Sequence, residues 1–125
     1  MDAVLMTQQL NEIQSINAAH NLPTMDLTKG LSDVNAVVAP GTLLKLNGTD
    51  YTPWIQGTDN ANLIVGVLAH HRTIDTDKQN IGLVRVFGPV SKDKLVAWTA
   101  ADGSTTAAPN DAALAQLETK QIWPL

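Results

Sequence analysis

The chain has 125 residues, no cysteine and a net charge of −4 at pH 7, which fits a single domain able to bury a core without disulfides. Only 16% of its residues are charged and 44% are hydrophobic, against about 25% charged residues in typical soluble proteins, so other copies or a partner are expected to cover part of its surface. The few lysines and arginines are scattered singly, which argues against nucleic-acid binding, and no run approaches the ~20 apolar residues of a membrane span.

Residues 1–39 are expected to form an N-terminal arm and a linker. Apolar residues at helical spacing predict an amphipathic helix that begins near Asp2 and ends before Pro23, because the residue before a proline avoids the α region. Its apolar stripe either packs on the chain's own domain or docks on a partner, and the sequence leaves both alternatives open. Thr24–Ser32 is predicted to be a linker and Val34–Ala39 a short strand. The stripe comprises Ala3, Met6, Leu10, Ile13 and Ile16.

A β-hairpin is the clearest local signal in the chain. Strand Leu43–Leu46 precedes the pair Asn47–Gly48, which accepts the positive φ angles of a type I′ turn, and strand Thr49–Trp54 follows it. Pro53 cannot donate to a ladder, so the second strand is expected to lie at an edge or to leave the sheet there.

Two apolar runs that contain glycines predict a small, tightly curved β-domain. Leu63–Ala69 is predicted to be a buried strand, and Gly82–Val90 a strand broken at Gly88–Pro89. A glycine inside a strand costs roughly 0.5–1 kcal/mol relative to alanine. Gly66 and Gly82 are therefore expected to mark bends or places of close packing.

The C-terminal part is expected to end in a short helix and a packed tail. Leu95–Thr99 is predicted to be a short strand and Ala100–Pro109 a surface loop. A cap at Asn110 or Asp111 predicts a helix that runs to about residue 120. The extended, apolar segment Ile122–Leu125 is expected to pack against the body.

The sequence predicts no catalytic residue, cofactor or metal. The cluster that most resembles a metal site is His70 and His71 with Asp75 and Asp77, within a predicted polar connection. Adjacent histidines in an extended segment point to opposite faces and converge poorly on a metal, so a polar surface loop is the favoured interpretation. The alternative is an enzyme, such as a hydrolase that uses either histidine. If that alternative is wrong, replacing both histidines by alanine is expected to leave assembly unchanged.

The three tryptophans, Trp54, Trp98 and Trp123, allow two interpretations. They can form a platform on which carbohydrates or bases stack, or they can fill a small core or a subunit interface. The chain has only one tyrosine and one phenylalanine, so the second interpretation is favoured.

From Pro40 to the C-terminus the order of elements resembles the head decoration proteins of tailed phages, the family of the lambda capsid-stabilising protein. The likeness rests on the strands Leu43–Leu46 and Tyr51–Trp54, the A-x-x-x-V-G-V-L-A run at Ala61–Ala69, the strand Gly82–Gly88, and a C-terminal helix with an apolar tail. It implies a mainly β fold, small and curved, of the β-clip or β-tulip kind. Here an N-terminal helical arm and linker (1–39) precede the decoration domain (40–125).

The resemblance also implies a homotrimer on the outer surface of an expanded capsid in the virion, where it clamps the major capsid protein without catalysis. In that family the N-terminal segment reaches the shell, so deleting Met1–Pro23 is expected to abolish shell binding. In this chain the segment is longer, and its pattern predicts a helix rather than an extended strand. A phage tail or baseplate component, or another small β interaction module, is the alternative. The candidate capsid-binding residues are Val4, Met6, Leu10, Ile13 and Ile16, and the candidate structural residues are Asn47, Gly48, Gly66 and Gly82.

Overall fold

A computed structural model describes residues 23–34, 37–73 and 80–125 of the protein. Within these ranges the fold is mainly β with one C-terminal α-helix, which confirms the predicted fold class. The predicted N-terminal helix lies outside the described residues. The elements are β1 (Met25–Leu31), β2 (Leu43–Asn47), β3 (Asp50–Pro53), β4 (Ile64–Thr73), β5 (Asn80–Val90), β6 (Ala97–Trp98), β7 (Thr106–Ala107), α1 (Asp111–Thr119) and β8 (Ile122–Pro124).

Five of the strands pair in a closed ring. Their order is β1–β3–β2–β4–β5, and β5 pairs again with β1. Neighbouring strands run antiparallel except β1 and β3, which are parallel and meet at one residue pair, Leu31 and Tyr51. A short sheet that closes on itself can surround a core with few residues. The tight curvature that the sequence predicted for the β-domain is the closure of this sheet into a ring.

The sheet begins earlier in the chain than the sequence predicted. The expected linker Thr24–Ser32 is wrong, because Met25–Leu31 forms β1 and each of its seven residues has a register partner in β5. This pairing is long-range, and strand propensity depends strongly on such context. The expected strand Val34–Ala39 is also wrong, since residues 34 and 37–39 have no strand conformation.

The predicted hairpin is confirmed, with its turn one residue further along the chain. Asn47 pairs with Asp50, so Gly48 and Thr49 are the two turn residues. Of these two, Gly48 alone has a positive φ, +65°, which is the sign pattern of a type II′ turn and not of the expected type I′. Strand β3 ends at Pro53, in agreement with its missing N–H.

The ring separates two apolar cores, because neighbouring residues of a strand point to opposite faces of the sheet. In β2, Leu43 faces one core and Leu44 the other, and Val67 and Leu68 divide in the same way in β4. The helix core, between sheet and helix, contains Leu43, Trp54, Ile64, Val67, Val90, Leu95, Ala97, Ala113, Leu117 and Ile122. The ring core, which draws on β1, β2, β4 and β5, contains Leu31, Val38, Leu44, Leu68, Val84 and Trp98.

Gly66 and Gly82 lie where ring-core side chains need space. A Cβ added to Gly66 would lie 2.6 Å from Cγ1 of Val84, and a Cβ on Gly82 would lie 2.9 Å from Cδ1 of Leu68. Both distances are shorter than an ordinary contact between carbon atoms. A side chain at either position would therefore displace the core.

Strand β5 continues through Gly88–Pro89 and changes its partner there, so the predicted break is wrong. Gly88 has a φ of +112°, and residues 88–90 pair in parallel with β8. The N–H of Leu125 also donates to the carbonyl of Val90 at 2.9 Å. With Ile122 fully buried, the expected packed tail is confirmed.

The C-terminal helix begins where the sequence placed its cap. Oδ1 of Asn110 accepts a hydrogen bond from the N–H of Ala113 at 2.9 Å, which satisfies one of the free donors of the first turn. The preceding region differs from the prediction in one respect. The strand expected at Leu95–Thr99 is shorter, and it pairs with β7 inside the expected surface loop.

Candidate interaction surfaces

The structure does not describe the residues that the sequence favoured for partner binding. Asp75 and Asp77 of the candidate metal cluster also lie outside the described ranges. The structure does place the point where the arm joins the body, at Pro23. The arm residues concerned are Val4, Met6, Leu10, Ile13 and Ile16.

The arm enters the body beside the C-terminal tail. A Cβ on Gly88 would lie 2.6 Å from the carbonyl oxygen of Pro23 and 3.0 Å from Thr24, so the incoming chain is packed tightly on β5. Gly88 is in turn the register partner of Ile122 in β8. The N-terminal arm and the C-terminal tail therefore meet at one position on the body.

An ion pair between Arg85 and Asp26 fixes the beginning of β1, just after this entry point. Nε and Nη2 of Arg85 donate to the two carboxylate oxygens of Asp26 at 2.8 and 3.0 Å, and Nη1 donates to the carbonyl of Pro89 at 3.0 Å. The hydrogen bond to Asp26 raises the pKa of Arg85 above its ordinary value, while burial acts in the opposite direction. Bidentate geometry of this kind favours a defined position of β1 on β5.

Apolar side chains are exposed next to the entry point. Met25 is 53% exposed and Leu27 37% exposed, but the register on β5 shifts between Met25 and Asp26, and Leu27 pairs with Val84 of the ring core. Met25 pairs with Phe87, whose ring meets Trp123 edge-to-face with 5.3 Å between centroids. Phe87 and Trp123 are half-buried. We call Met25, Phe87 and Trp123 the β1 strip.

The backbone edge of β1 is open beside this strip. Strand β1 meets β3 at Leu31 and Tyr51, and the N–H of Ser32 donates to the carbonyl of Tyr51 at 2.9 Å. In the part of the chain that the structure describes, Met25–Gly30 pair with β5 alone. The interpretation of Thr24–Ser32 as a linker concealed this surface in the sequence.

A second apolar surface surrounds a groove of about 350 Å³. Its walls include Leu46 and Leu63, which are 52% and 45% exposed, and the edge of Trp98. Lys45 also lines the groove, and its Nζ forms an ion pair with Asp59 at 2.7 Å. Asp33, Asn47 and Thr52 also line the groove, which therefore offers both polar and apolar contacts.

A further cleft of about 310 Å³ lies between β4 and the chain that follows β5. Val67, Val90 and Leu95 form its apolar walls, and Arg85 and Lys94 border it. The guanidinium of Arg85 already binds Asp26 and the carbonyl of Pro89. The wall of the cleft that Arg85 forms therefore has no cluster of unpaired charges.

The two adjacent histidines belong to β4 and not to the predicted surface loop. They point to opposite sides, as expected: His70 is exposed and His71 is 7% exposed. Nδ1 of His71 accepts from the N–H of Val38 at 2.7 Å, and Nε2 lies 2.9 Å from Oδ1 of Asn80. The surface-loop interpretation is therefore wrong for His71, which joins three segments of the body.

Within residues 23–34, 37–73 and 80–125, no three histidine, aspartate or glutamate side chains form a group able to hold a metal ion.

Two of the three tryptophans are buried. Trp54 and Trp98 are 2% and 8% exposed, and Nε1 of Trp54 donates to the carbonyl of Asn60 at 2.8 Å. These two tryptophans fill the helix core and the ring core respectively, in agreement with the favoured interpretation.

No protein-family model matches the chain, and neither a curated protein nor a solved structure matches it. The resemblance to phage head decoration proteins therefore rests on the order of elements and motifs described above. Among the residues that the structure describes, no helix has the length and apolar character needed to cross a membrane.

Proposed function

We propose that the protein is a phage head decoration protein, which binds as a homotrimer to the outside of the expanded shell and stabilises the major capsid protein. The observation that carries the proposal is the order of elements from Leu43 onward. A hairpin, the V-G-V-L-A strand, a glycine-containing return strand, a C-terminal helix and a packed apolar tail follow one another as in that family. Its location would be the virion surface, after synthesis in the host cytoplasm.

The surface of the body supports a function based on contacts with other proteins. The β1 strip and the groove beside Leu46 and Leu63 expose apolar side chains, on a chain of which only 16% is charged. Contiguous exposed apolar surface is typical of protein–protein interaction sites. The β1 strip lies next to the point where the N-terminal arm enters, so the arm and the body can contact a partner together.

Such a protein stabilises the shell by mass action. If it binds the expanded shell and not its precursor or its dissociated subunits, each bound copy shifts the equilibrium toward the expanded state. Three arms on one trimer raise the effective concentration of each arm at the shell, so weak individual contacts give tight attachment. Neither effect requires a catalytic group.

The decisive experiment mixes the purified protein with expanded shells that lack decoration. We expect saturable binding, with added density at threefold and quasi-threefold positions in reconstructions by electron microscopy. The protein alone should be trimeric by light scattering. A monomeric protein that leaves the shells undecorated would overturn the proposal.

Deleting Met1–Leu22 is expected to abolish shell binding while leaving the body folded. Pro23 is kept in this variant because its carbonyl packs on Gly88. The matched control replaces Gln9 and Gln14, outside the apolar stripe, by alanine and should bind like the unmodified protein. Co-sedimentation with shells measures both. If the truncated protein binds equally well, the body and not the arm makes the capsid contact.

The alternative is a tail or baseplate component, or another small β interaction module. The open edge of β1 favours this alternative, because an unpaired strand edge can accept a strand from another protein in many contexts. Copy number distinguishes the two functions. Quantification of the protein in purified virions should find hundreds of copies for a decoration protein and far fewer for a tail component.

A further inference from the structure

We propose that Asn47 is a site of spontaneous deamidation, and that its conversion to aspartate or isoaspartate releases the contact between the end of β1 and the β2–β3 hairpin. The reaction needs only water, so it is independent of any partner and of the proposed function. It is favoured by the glycine that follows Asn47, and its consequence follows from the contacts that the Asn47 amide makes in the folded protein.

The ring of strands has its shortest junction between β1 and β3. These strands share one residue pair, Leu31 with Tyr51, and the N–H of Ser32 donates to the carbonyl of Tyr51 at 2.9 Å. Every other pair of neighbouring strands in the ring shares at least three residue pairs. We call this junction the β1–β3 seam.

The amide of Asn47 holds the end of β1 at this seam. Its Nδ2 donates to Oγ of Ser32 and to Oδ2 of Asp33, each at 2.9 Å. Ser32 and Asp33 directly follow β1, and Asn47 is the last residue of β2. Asp33 has a φ of +57°, a left-handed conformation that costs free energy for a residue with a side chain and is kept by its contacts. The Asn47 amide is therefore a latch across the seam.

The chemistry of the Asn47–Gly48 pair favours loss of this amide. Asn47 is the only asparagine of the chain that a glycine follows, and a residue without a side chain leaves its backbone nitrogen least hindered. The nitrogen of Gly48 attacks Cγ of Asn47, and the bond from Cγ to Nδ2 breaks. The proton of Gly48 passes through solvent to the departing nitrogen, which leaves as ammonia, and a succinimide ring remains. Water then opens this ring and yields aspartate or isoaspartate.

A second pair of this kind in the chain, Asp102–Gly103, is less suited to ring closure. The N–H of Gly103 donates to the carbonyl of Ala100 at 3.0 Å. Hydrogen bonds from the side chain and the N–H of Ser104 lower the pKa of Asp102, and an ionised carboxylate resists attack by a nucleophile. By contrast, no described residue accepts a hydrogen bond from the N–H of Gly48. The hairpin turn is therefore the more reactive of the two sites.

Deamidation places a new carboxylate between two existing ones. Asp33 accepts from the present amide, and Asp50 is the register partner of Asn47 across the hairpin. Among the described side chains, no lysine or arginine forms an ion pair with Asp33 or Asp50. Like charges on opposite strand residues are destabilising, and a carboxylate cannot donate to Asp33. Isoaspartate also adds a methylene group to the main chain at the turn. The latch therefore cannot close again.

The first test incubates the full-length protein at mildly alkaline pH and maps the products by peptide mass spectrometry. We expect Asn47 to be the first asparagine to convert, with isoaspartate among the products. The variant Gly48→Ala should convert much more slowly, because a side chain then hinders the attacking nitrogen. If Asn47 remains intact throughout the incubation, or converts after the other asparagines, the proposal is wrong.

The second test measures hydrogen exchange in variants that carry the product's charge. In Asn47→Asp we expect the amide of Ser32 to exchange about fivefold faster than in the unmodified protein, with unchanged exchange in α1. The double variant Asp33→Asn with Asn47→Asp should restore the slow exchange, because the amide at position 33 can donate to the carboxylate at position 47. The matched control, Asn62→Asp, adds the same charge at an exposed asparagine and should behave like the unmodified protein.

Two results of the second test would overturn the proposal. One is an unchanged exchange rate of the Ser32 amide in Asn47→Asp and in the deamidated protein, because the amide would then not act as a latch. The other is a double variant that exchanges as fast as Asn47→Asp, since repulsion between the carboxylates at positions 33 and 47 would then not be the cause.

Discussion

Replacing Gly41 by alanine is expected to destabilise the protein by about 4 kcal/mol, the largest effect we predict for a single methyl group. Gly41 has a φ of +94°, and a Cβ there would overlap the backbone carbonyl of Lys94. The residue cannot move away easily. Its N–H donates to the carbonyl of Leu68 at 2.7 Å, and its carbonyl accepts from the N–H of Val96 at 2.9 Å.

The matched control is Gly48→Ala. Gly48 also has a positive φ, +65°, but no atom lies within 4 Å of an added Cβ. Backbone strain alone predicts a loss of about 1 kcal/mol there. Urea unfolding of the two variants measures the difference, and equal midpoints would show that the contact with Lys94 is relieved by small shifts.

Replacing His71 by alanine is expected to lower the free energy of unfolding by about 3 kcal/mol. The substitution leaves the buried N–H of Val38 without its acceptor and removes the partner at Oδ1 of Asn80. It also leaves a cavity, because His71 is buried and only 7% exposed. The connection between β1 and β2 is expected to loosen first, because Val38 anchors it to β4.

The control for this prediction is the neighbouring residue. His70 is exposed, so His70→Ala should change stability by no more than about 0.5 kcal/mol. Thermal unfolding monitored by circular dichroism compares the two variants. If the two substitutions lower the stability equally little, both histidines behave as surface residues, as the sequence predicted. Because the double alanine variant would disturb the body, His70→Ala alone is the proper test of a catalytic or metal-binding role for the exposed histidine.

These two residues also mark where sequence reasoning succeeded and failed. Adjacent histidines were correctly expected to point to opposite faces, since alternation is a property of any extended chain. That His71 is buried follows from its contact with Val38, 33 residues away, which no local pattern encodes. The contact between Gly41 and Lys94 likewise depends on two segments that meet only in the folded chain.

The strands show the same division. The hairpin around Gly48 was predicted because a tight turn needs a residue that tolerates positive φ. Strand β1 was missed because Met25–Leu31 is specified by its register with β5, whose paired residues lie 49 to 62 positions further along the chain. The hairpin turn lies one residue further along than predicted for the same reason, because the pairing of Asn47 with Asp50 is fixed by the complete register of β2 on β3.

The sequence by itself determined the elements whose causes are local: the hairpin, the cap at Asn110, the glycine-containing strands and the apolar tail. It also determined the low content of charged residues, which favours a protein whose surface is partly covered by other proteins. Only the tertiary structure decided that the sheet closes on itself through β1, that His71 lies inside and that Met25 and Leu27 are exposed beside the arm. Those features depend on contacts between residues far apart in the chain, whose free energy appears only when the ring of strands is complete.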